Sequence, residues 1–330
     1  MAHGAGGKAS RRLIEGLIVP TLCGPVKEPL ADAACVEIGG TPVVITTDSF
    51  VVKPLRFPGG SIGELAVNGT VNDLAVSGAK ATALVVTMVL EAGLPTKVLE
   101  EEIAAMSKVA KQANVPIVGG DTKVVEHGKA DHIYITTTGI GQRINGIQLH
   151  PRLVRPGDKV LLSGPVGDHG IAILLARGEI ELEADIRSDT RSVFPFIESM
   201  AEKAGPGLRW MRDPTRGGLA TSLNELARDC GLGIHLSEEK IPVHDAVRGA
   251  CELLGLDPLH IANEGQFVAV VAPDFAEPAL RALHAIGGGE AAVIIGEVTD
   301  QHAGSVLVST RYGGARVVDM LVGDPLPRIC

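Results

Sequence analysis

The feature that most restricts how this chain can fold is the break at residues 150–158, HPRLVRPGD. Two prolines and a polar turn continue neither a helix nor a central strand. On both sides the same alternation runs, apolar strand, glycine-rich loop, helical stripe, so the break separates two α/β units. At ~150 residues per domain, a chain of 330 residues fits two. The spacing divides it into a glycine loop and short helix at 1–40, a first domain at 41–150, a second at 151–322 and a tail at 323–330. In the first unit, residues 11–18 read as a short helix cut off by Pro20 and Pro29. Residues 42–47 read as a strand entering Asp48, 61–76 as a helix, and 84–90, 115–118 and 133–138 as strands. A helix opening at Thr96 carries Leu99, Ile103, Met106, Ala110 and Ala113 as one stripe. Glu100 to Glu102 are placed in its first turn, where the dipole favours them. Beyond the break, 159–162, 266–272 and 291–295 read as strands, and helices cover 171–177, a segment from Gly218, and one between the last two strands.

Composition enters where the core is concerned. Aromatic residues are only 3% of the chain, so Val, Ile, Leu and Ala must fill the interior. Glycine supplies 41 of 330 residues, against a usual ~7%, which suits tight turns and close backbone–ligand approach. With 30 basic and 39 acidic residues the net charge is −9, which argues against nucleic acid or an anionic membrane as partner. Five scattered cysteines do not read as a disulfide framework, and Cys23, Cys35, Cys230 and Cys251 read as structural or incidental thiols. The N-terminus lacks a signal-like apolar run and no stretch reaches ~20 apolar residues, so the cytoplasm is the expected compartment.

The candidate chemistry is carboxylate and glycine. Asp48 in TTDSF, Asp73 in VNDL, Asp121 in VGGDT and Asp213 in RDPTRGG stand at strand ends or glycine turns. Such oxygens suit Mg2+, although a lone aspartate there is more often a turn or cap residue. Glycine loops at residues 3–7, 163–170 and 216–218 precede helices and could hold an anion. None fits a nucleotide fingerprint: there is no GxxxxGK[ST], and the Gly4–Ala–Gly6 and Gly139–Ile–Gly141 candidates fail at Ala9 and Ile144. Without HExxH or CxxC, a dedicated zinc site is not expected. Cys330 differs from the other thiols because it ends the chain, after two prolines. Its own α-carboxylate raises the thiol pKa, so it would work best inside a cationic pocket.

A set of motifs spread from end to end resembles one family. They are Ala2–His–Gly–Ala–Gly–Gly7, Thr47–Asp–Ser–Phe50, Gly69–Thr–Val–Asn–Asp73, Gly119–Gly–Asp–Thr–Lys123, Gly167–Asp–His–Gly170, Asp213–Pro–Thr–Arg–Gly–Gly218, Asn263–Glu–Gly265 and Pro327–Arg–Ile–Cys330. Together they are similar to HypE, the carbamoyl dehydratases of [NiFe]-hydrogenase maturation, within the ATP-binding aminoimidazole ribonucleotide synthetase superfamily. The terminal Pro–Arg–Ile–Cys is the most specific element. The resemblance implies a two-domain α/β (α+β) fold with ATP between the domains, the N-terminal sheet pairing across a homodimer, and a flexible tail.

By position, the resemblance implies that Asp48, Asp73, Asp121 and Asp213 hold Mg2+ and the triphosphate, Asp73 and Asp121 jointly. It puts Asn72 and the loop residues Gly4, Gly6 and Gly7 near the phosphates, and makes Lys123 and Glu264 a polar pair beside Cys330. The implied reaction is ATP-dependent dehydration of a carbamoyl group on Cys330 to a thiocyanate, with Glu264 as base and Lys123 steadying charge. The implied partners are a HypF-like carbamoyltransferase and a HypC–HypD-like acceptor carrying iron. Two rivals stand beside this: a small-molecule ATP-dependent synthetase or kinase of the superfamily, and a non-catalytic thiol carrier or scaffold.

Overall fold

The computed structural model describes residues 7–25, 28–178, 182 and 184–321. Gly4, Gly6, Cys330 and the rest of the tail 323–330 lie outside the described residues. The first unit holds α1 (Lys8–Leu13), a π-helical turn (Ile14–Ile18), α2 (Val19–Leu22), β1 (Ala34–Ile38), β2 (Thr41–Phe50), β3 (Arg56–Phe57), β4 (Gly60–Ser61), α3 (Ile62–Val76), β5 (Ala79–Glu91), α4 (Thr96–Gln112), β6 (Ile117–Val125) and β7 (Ile133–Arg143). The second holds β8 (Lys159–Leu162), α5 (Asp168–Ala176), α6 (Phe194–Ala204), β9 (Leu208–Arg212), α7 (Gly218–Cys230), β10 (Gly233–Ser237), α8 (Asp245–Leu254), β11 (Val268–Val271), α9 (Pro273–His284), β12 (Val293–Thr299), β13 (Val306–Ser309) and β14 (Ala315–Val318).

Each unit is built on one mixed sheet. The first has strand order β1-β2-β7-β5-β6 and the second β14-β13-β10-β12-β8-β11-β9. Helix α3 starts on an N-cap, with the Ser61 hydroxyl accepting from the N–H of Glu64. It is buried on nearly every face because it lies between the first sheet and the second unit, touching β2, β7 and β5 on one side and α6 and β9 on the other. Its polar residues Asn68, Asn72 and Asp73 therefore point into a joint between units. Two apolar clusters cross that joint: Ile62 and Leu65 pack with Ile171, Val247 and Ile261, and Ala75 and Val76 pack with Phe196 and Leu161. No described helix is long and apolar enough to cross a membrane.

Several expectations change in detail. Pro20 does not end the N-terminal helical segment, which runs through the π-helical turn into α2 and on to Leu22. Helix α4 begins at Thr96, so its first turn holds no acid and Glu100 to Glu102 fall one turn later. Its buried face is Glu102, Met106, Val109 and Ala110, whereas Ile103 is 43% exposed. The rotation has a polar cause. The Glu102 carboxylate accepts the Gly63 N–H at 3.0 Å and pairs with Arg56 Nε at 2.9 Å, closing the start of α3 from within the protein. Strand β1, exposed along its whole length, carries no periodicity to be read beforehand, whereas helices α6 and α8 are amphipathic and are additions to the sequence reading.

Candidate active site between the two sheets

Strand alternation decides which aspartates can meet. In β2, Thr46, Asp48 and Phe50 point towards α3, and Thr47 and Ser49 towards the opposite face. One turn of α3 then brings Asp73 against Thr46, whose Oγ1 stands 2.9 Å from Asp73 Oδ2 and 2.7 Å from the Asp32 carbonyl. A hydroxyl has one hydrogen to donate. If Thr46 gives it to the Asp32 carbonyl, Asp73 must carry the proton of the second bond. From the second unit, β9 ends at Arg212 and delivers Asp213, so that carboxylate oxygens of Asp32, Asp73 and Asp213 all lie within 4.8 Å of one another.

This crowding has electrostatic consequences. Burial, then the negative charge of Asp32, pushes Asp213 up to about 8, with Arg212 opposing. Burial, then Asp213, Asp32 and Asp48, holds Asp73 well above the ordinary carboxylate range. Asp48 is also raised by burial, although the Ser49 N–H and Arg216 pull it back. Arg212 is the built-in counter-charge: its Nε lies 3.0 Å from Asp32, one Nη 2.8 Å from Glu225, and the other donates to the Leu30 carbonyl at 2.9 Å. Asp32 and Arg212 are site residues that the sequence reading missed. Asp32 lies in a loop before a strand without periodicity, and its only signal is that position.

Glu264 is a further buried carboxyl that feels the charges of Asp213 and Asp48. It is 4% exposed. Burial, then Asp213, Asp48 and Asp189, holds its carboxyl well above the usual range, while Arg216 opposes them. The loops that deliver these groups are tied together by Asn263, which accepts the Gly167 N–H at 2.8 Å and donates to the carbonyls of Pro214 and Ile261. Gly218 turns the chain with a positive φ of 61°, and a side chain there would strike the Leu259 and Ile261 carbonyls. Only glycine permits so close an approach.

Three expected placements are not what the fold provides. Asp121 is on β6, where its cross-strand row runs through Thr87 and Thr136 to Ser49. That row is on the face opposite Asp48 and three strand spacings, ~14 Å, from β2. Within one chain, Asp121 cannot share an ion with Asp73. Lys123, on the same exposed strand, pairs with Asp121 at 2.8 Å, and this bond lowers the Asp121 pKa; it does not meet Glu264. Asn72 is spent on structure: its Nδ2 donates to the carbonyls of Arg191 at 2.9 Å and Glu264 at 3.3 Å, and its Oδ1 accepts the Val193 N–H at 2.8 Å. No polar atom of its side chain is left for a phosphate. Asn72→Ala should cost roughly 2–4 kcal/mol of stability, because buried groups on two loops lose their partners. A denaturant midpoint equal to wild type would show the clamp to be idle.

Gly7 caps α1 and lies so close to the Leu321 carbonyl that any side chain would collide with it, while the Lys8 N–H donates to that carbonyl at 3.0 Å. The start of the described chain and its end are thus adjacent.

Comparisons with known proteins agree with this architecture. The AIR synthase related protein N-terminal domain matches residues 30–142 and the corresponding C-terminal domain matches 155–309. The carbamoyl dehydratase HypE of Azotobacter vinelandii is 47% identical over 330 residues, covering 100% of this chain and 96% of its own. A crystal structure of a HypE–HypF complex superposes with a TM-score of 0.88 at 44% identity, covering 94% of this chain and 99% of that one. A HypE structure in complex with ATP gives 0.84 at 43% identity, covering 99% and 98%.

Proposed function

This chain belongs to the HypE family of AIR synthase related proteins, and on that premise we propose that it is an ATP-dependent carbamoyl dehydratase acting on its own Cys330. The observation that carries the reading is the buried Glu264 facing an acidic nest at the joint between the two units, in a chain whose last residue is cysteine. The solved relative that binds ATP supports a nucleotide at that joint.

The chemistry needs two stages. The carbonyl oxygen of S–C(=O)–NH2 attacks the γ-phosphorus of ATP, ADP leaves, and the nitrogen gives one proton to water. A second N–H proton then passes to Glu264 as the C–O bond breaks, giving S–C≡N and inorganic phosphate. Phosphate departs far more readily than hydroxide, which is what ATP contributes. Glu264 suits the proton transfer because burial, and then the neighbouring carboxylates, raise its affinity for a proton.

The donor set fits Mg2+, since three carboxylates within 4.8 Å offer only hard oxygen ligands. In this proposal Asp32, Asp73 and Asp213 hold the ion, Asp48 stands beside them, and Gly4, Gly6 and Gly7 face the phosphates. When bound, the ion would neutralise charge on the triphosphate. Asp121 and Lys123 act from a second copy of the chain. A homodimer through the first sheet is supported by the face of that sheet that α3 and α4 leave bare. There Val36, Ile38, Val85 and Ile140 are exposed and β6 is an open edge. Lys123 would then steady charge on the carbamoyl oxygen. A HypF-like carbamoyltransferase supplies the carbamoyl group, consistent with the solved HypE–HypF complex, and a HypC–HypD-like complex carrying iron accepts the cyanide. In this proposal the reaction, which consumes ATP, takes place in the cytoplasm.

The test is intact mass. With a carbamoyl donor, the C-terminal peptide should gain a carbamoyl group on Cys330, and ATP should then remove one water. Glu264→Gln should bind ATP and accept the carbamoyl group but retain that water, with dehydration slowed by about 100-fold or more. Wild-type thiocyanate formation by this variant would refute Glu264 as base.

A further inference from the structure

A single short segment, 186–193, ties the two units to the loop that carries Glu264. The Ser188 N–H donates to the Pro58 carbonyl at 2.8 Å, and its hydroxyl lies 2.8 Å from His169 Nδ1. Thr190 accepts from Asn68, and the Arg191 carbonyl accepts from Asn72, both on α3. Arg191 also donates to the carbonyls of Gly265 at 2.9 Å and Gly288 at 2.8 Å. In the middle stands Asp189, whose Oδ1 accepts the Glu264 N–H at 3.0 Å while Oδ2 accepts the Gly265 N–H at 3.2 Å. The fit is close: a side chain at Gly265 would collide with the Asp189 carbonyl.

We propose that Asp189 is the positioning residue of this site: its carboxylate grips the backbone N–H groups of Glu264 and Gly265 and so sets where the Glu264 side chain stands. A bidentate carboxylate gripping two successive N–H groups fixes the peptide plane between them. Asn72 holds the carbonyl of the same residue from the other side, so Glu264 is clamped at both backbone groups between α3 and segment 186–193. The proposal rests on the reading of Glu264 as proton acceptor. Asp189 itself makes no contact with Asp32, Asp73 or Asp213 among the bonds described. The other charged groups facing it are Asp168, which pairs with His244, and Arg191.

Two readouts test it. Burial raises the Asp189 carboxyl to about 6, so amide proton signals of Glu264 and Gly265 should titrate together through that pH in the full-length protein. In Asp189→Asn this titration should vanish. Asp189→Asn should bind ATP within about two-fold of wild type and accept the carbamoyl group, yet dehydrate it about 100-fold more slowly, since a displacement on the order of 1 Å costs that much. Asp189→Ser, which leaves room for a water to meet both N–H groups, carries the same test should Asp189→Asn not fold. Flat amide signals in the wild type would overturn the clamp. So would wild-type dehydration by Asp189→Asn while Glu264→Gln is stalled. Normal dehydration by Glu264→Gln would instead refute the base, and the amide titration would still decide the clamp.

Discussion

Cys330→Ser, or deletion of that one residue, is expected to abolish thiocyanate formation and cyanide transfer while leaving folding and ATP binding intact. The chemistry needs a thiol to carry the carbamoyl group, and a serine would make a carbamate whose oxygen cannot later release cyanide as a thiocyanate sulfur can. Among the described residues, the two apolar clusters that join the units extend no further along the chain than Ala292. Appending a few residues after Cys330 tests the position rather than the thiol. It removes the neighbouring carboxylate and lets the thiol pKa fall, yet it should still block dehydration if the cysteine must enter a narrow site. Peptide mass spectrometry reads the result. A carbamoyl adduct on Cys23, Cys35, Cys230 or Cys251, or on none, would make a small-molecule ATP-dependent enzyme the better account.

The second large effect belongs to the acidic nest. Asp213→Asn and Asp73→Asn should weaken Mg2+-dependent nucleotide binding by at least about 100-fold, since loss of even an outer-sphere partner can cost that much. The same changes should raise the stability of the metal-free protein at pH 8 by roughly 1–4 kcal/mol, because each removes a largely buried charge lacking full compensation. The sign follows from linkage. Asp213 holds its proton up to about 8 in the folded state, against 3.8 ordinarily, so the folded form binds more protons than the unfolded chain between those values. Its stabilising contribution is complete below the lower value and is lost as pH rises through the upper one. Metal-free wild type should therefore melt progressively lower across that window, and Asp213→Asn should flatten the slope. Thermal unfolding with and without Mg2+, beside calorimetry, checks both halves. A variant that binds Mg2+·ATP normally would remove Asp213 from the ligand set.

Short-range chemistry decides which parts of the site are legible in the sequence. Asp213 and Glu264 stand next to a proline or a glycine and Asp48 near the end of a strand, where short-range chemistry leaves a mark, whereas Asp73 lies inside α3 and is marked only by its motif. Asp32, Arg212 and Asp189 carry no such mark. Each becomes functional only through a contact far along the chain: Asp32 with Arg212, and Asp189 with Glu264. Helix α4 shows the same limit from the other side. Its stripe of apolar residues is helical as expected, but the face turned inward is the one that brings Glu102 to the Gly63 N–H and to Arg56.

Local sequence thus determined the number of units, the helices and strands with clean periodicity, and the carboxylates at glycine turns, because these depend on backbone sterics and spacing within a few residues. Tertiary structure alone decided which carboxylates meet. In β2 and β6 the two-residue alternation and three strand spacings put Asp48 and Asp121 on opposite faces, and packing of α3 between the units turned Asn72 from a phosphate contact into a clamp. Those outcomes depend on register and on burial across units, and no window of neighbouring residues contains either.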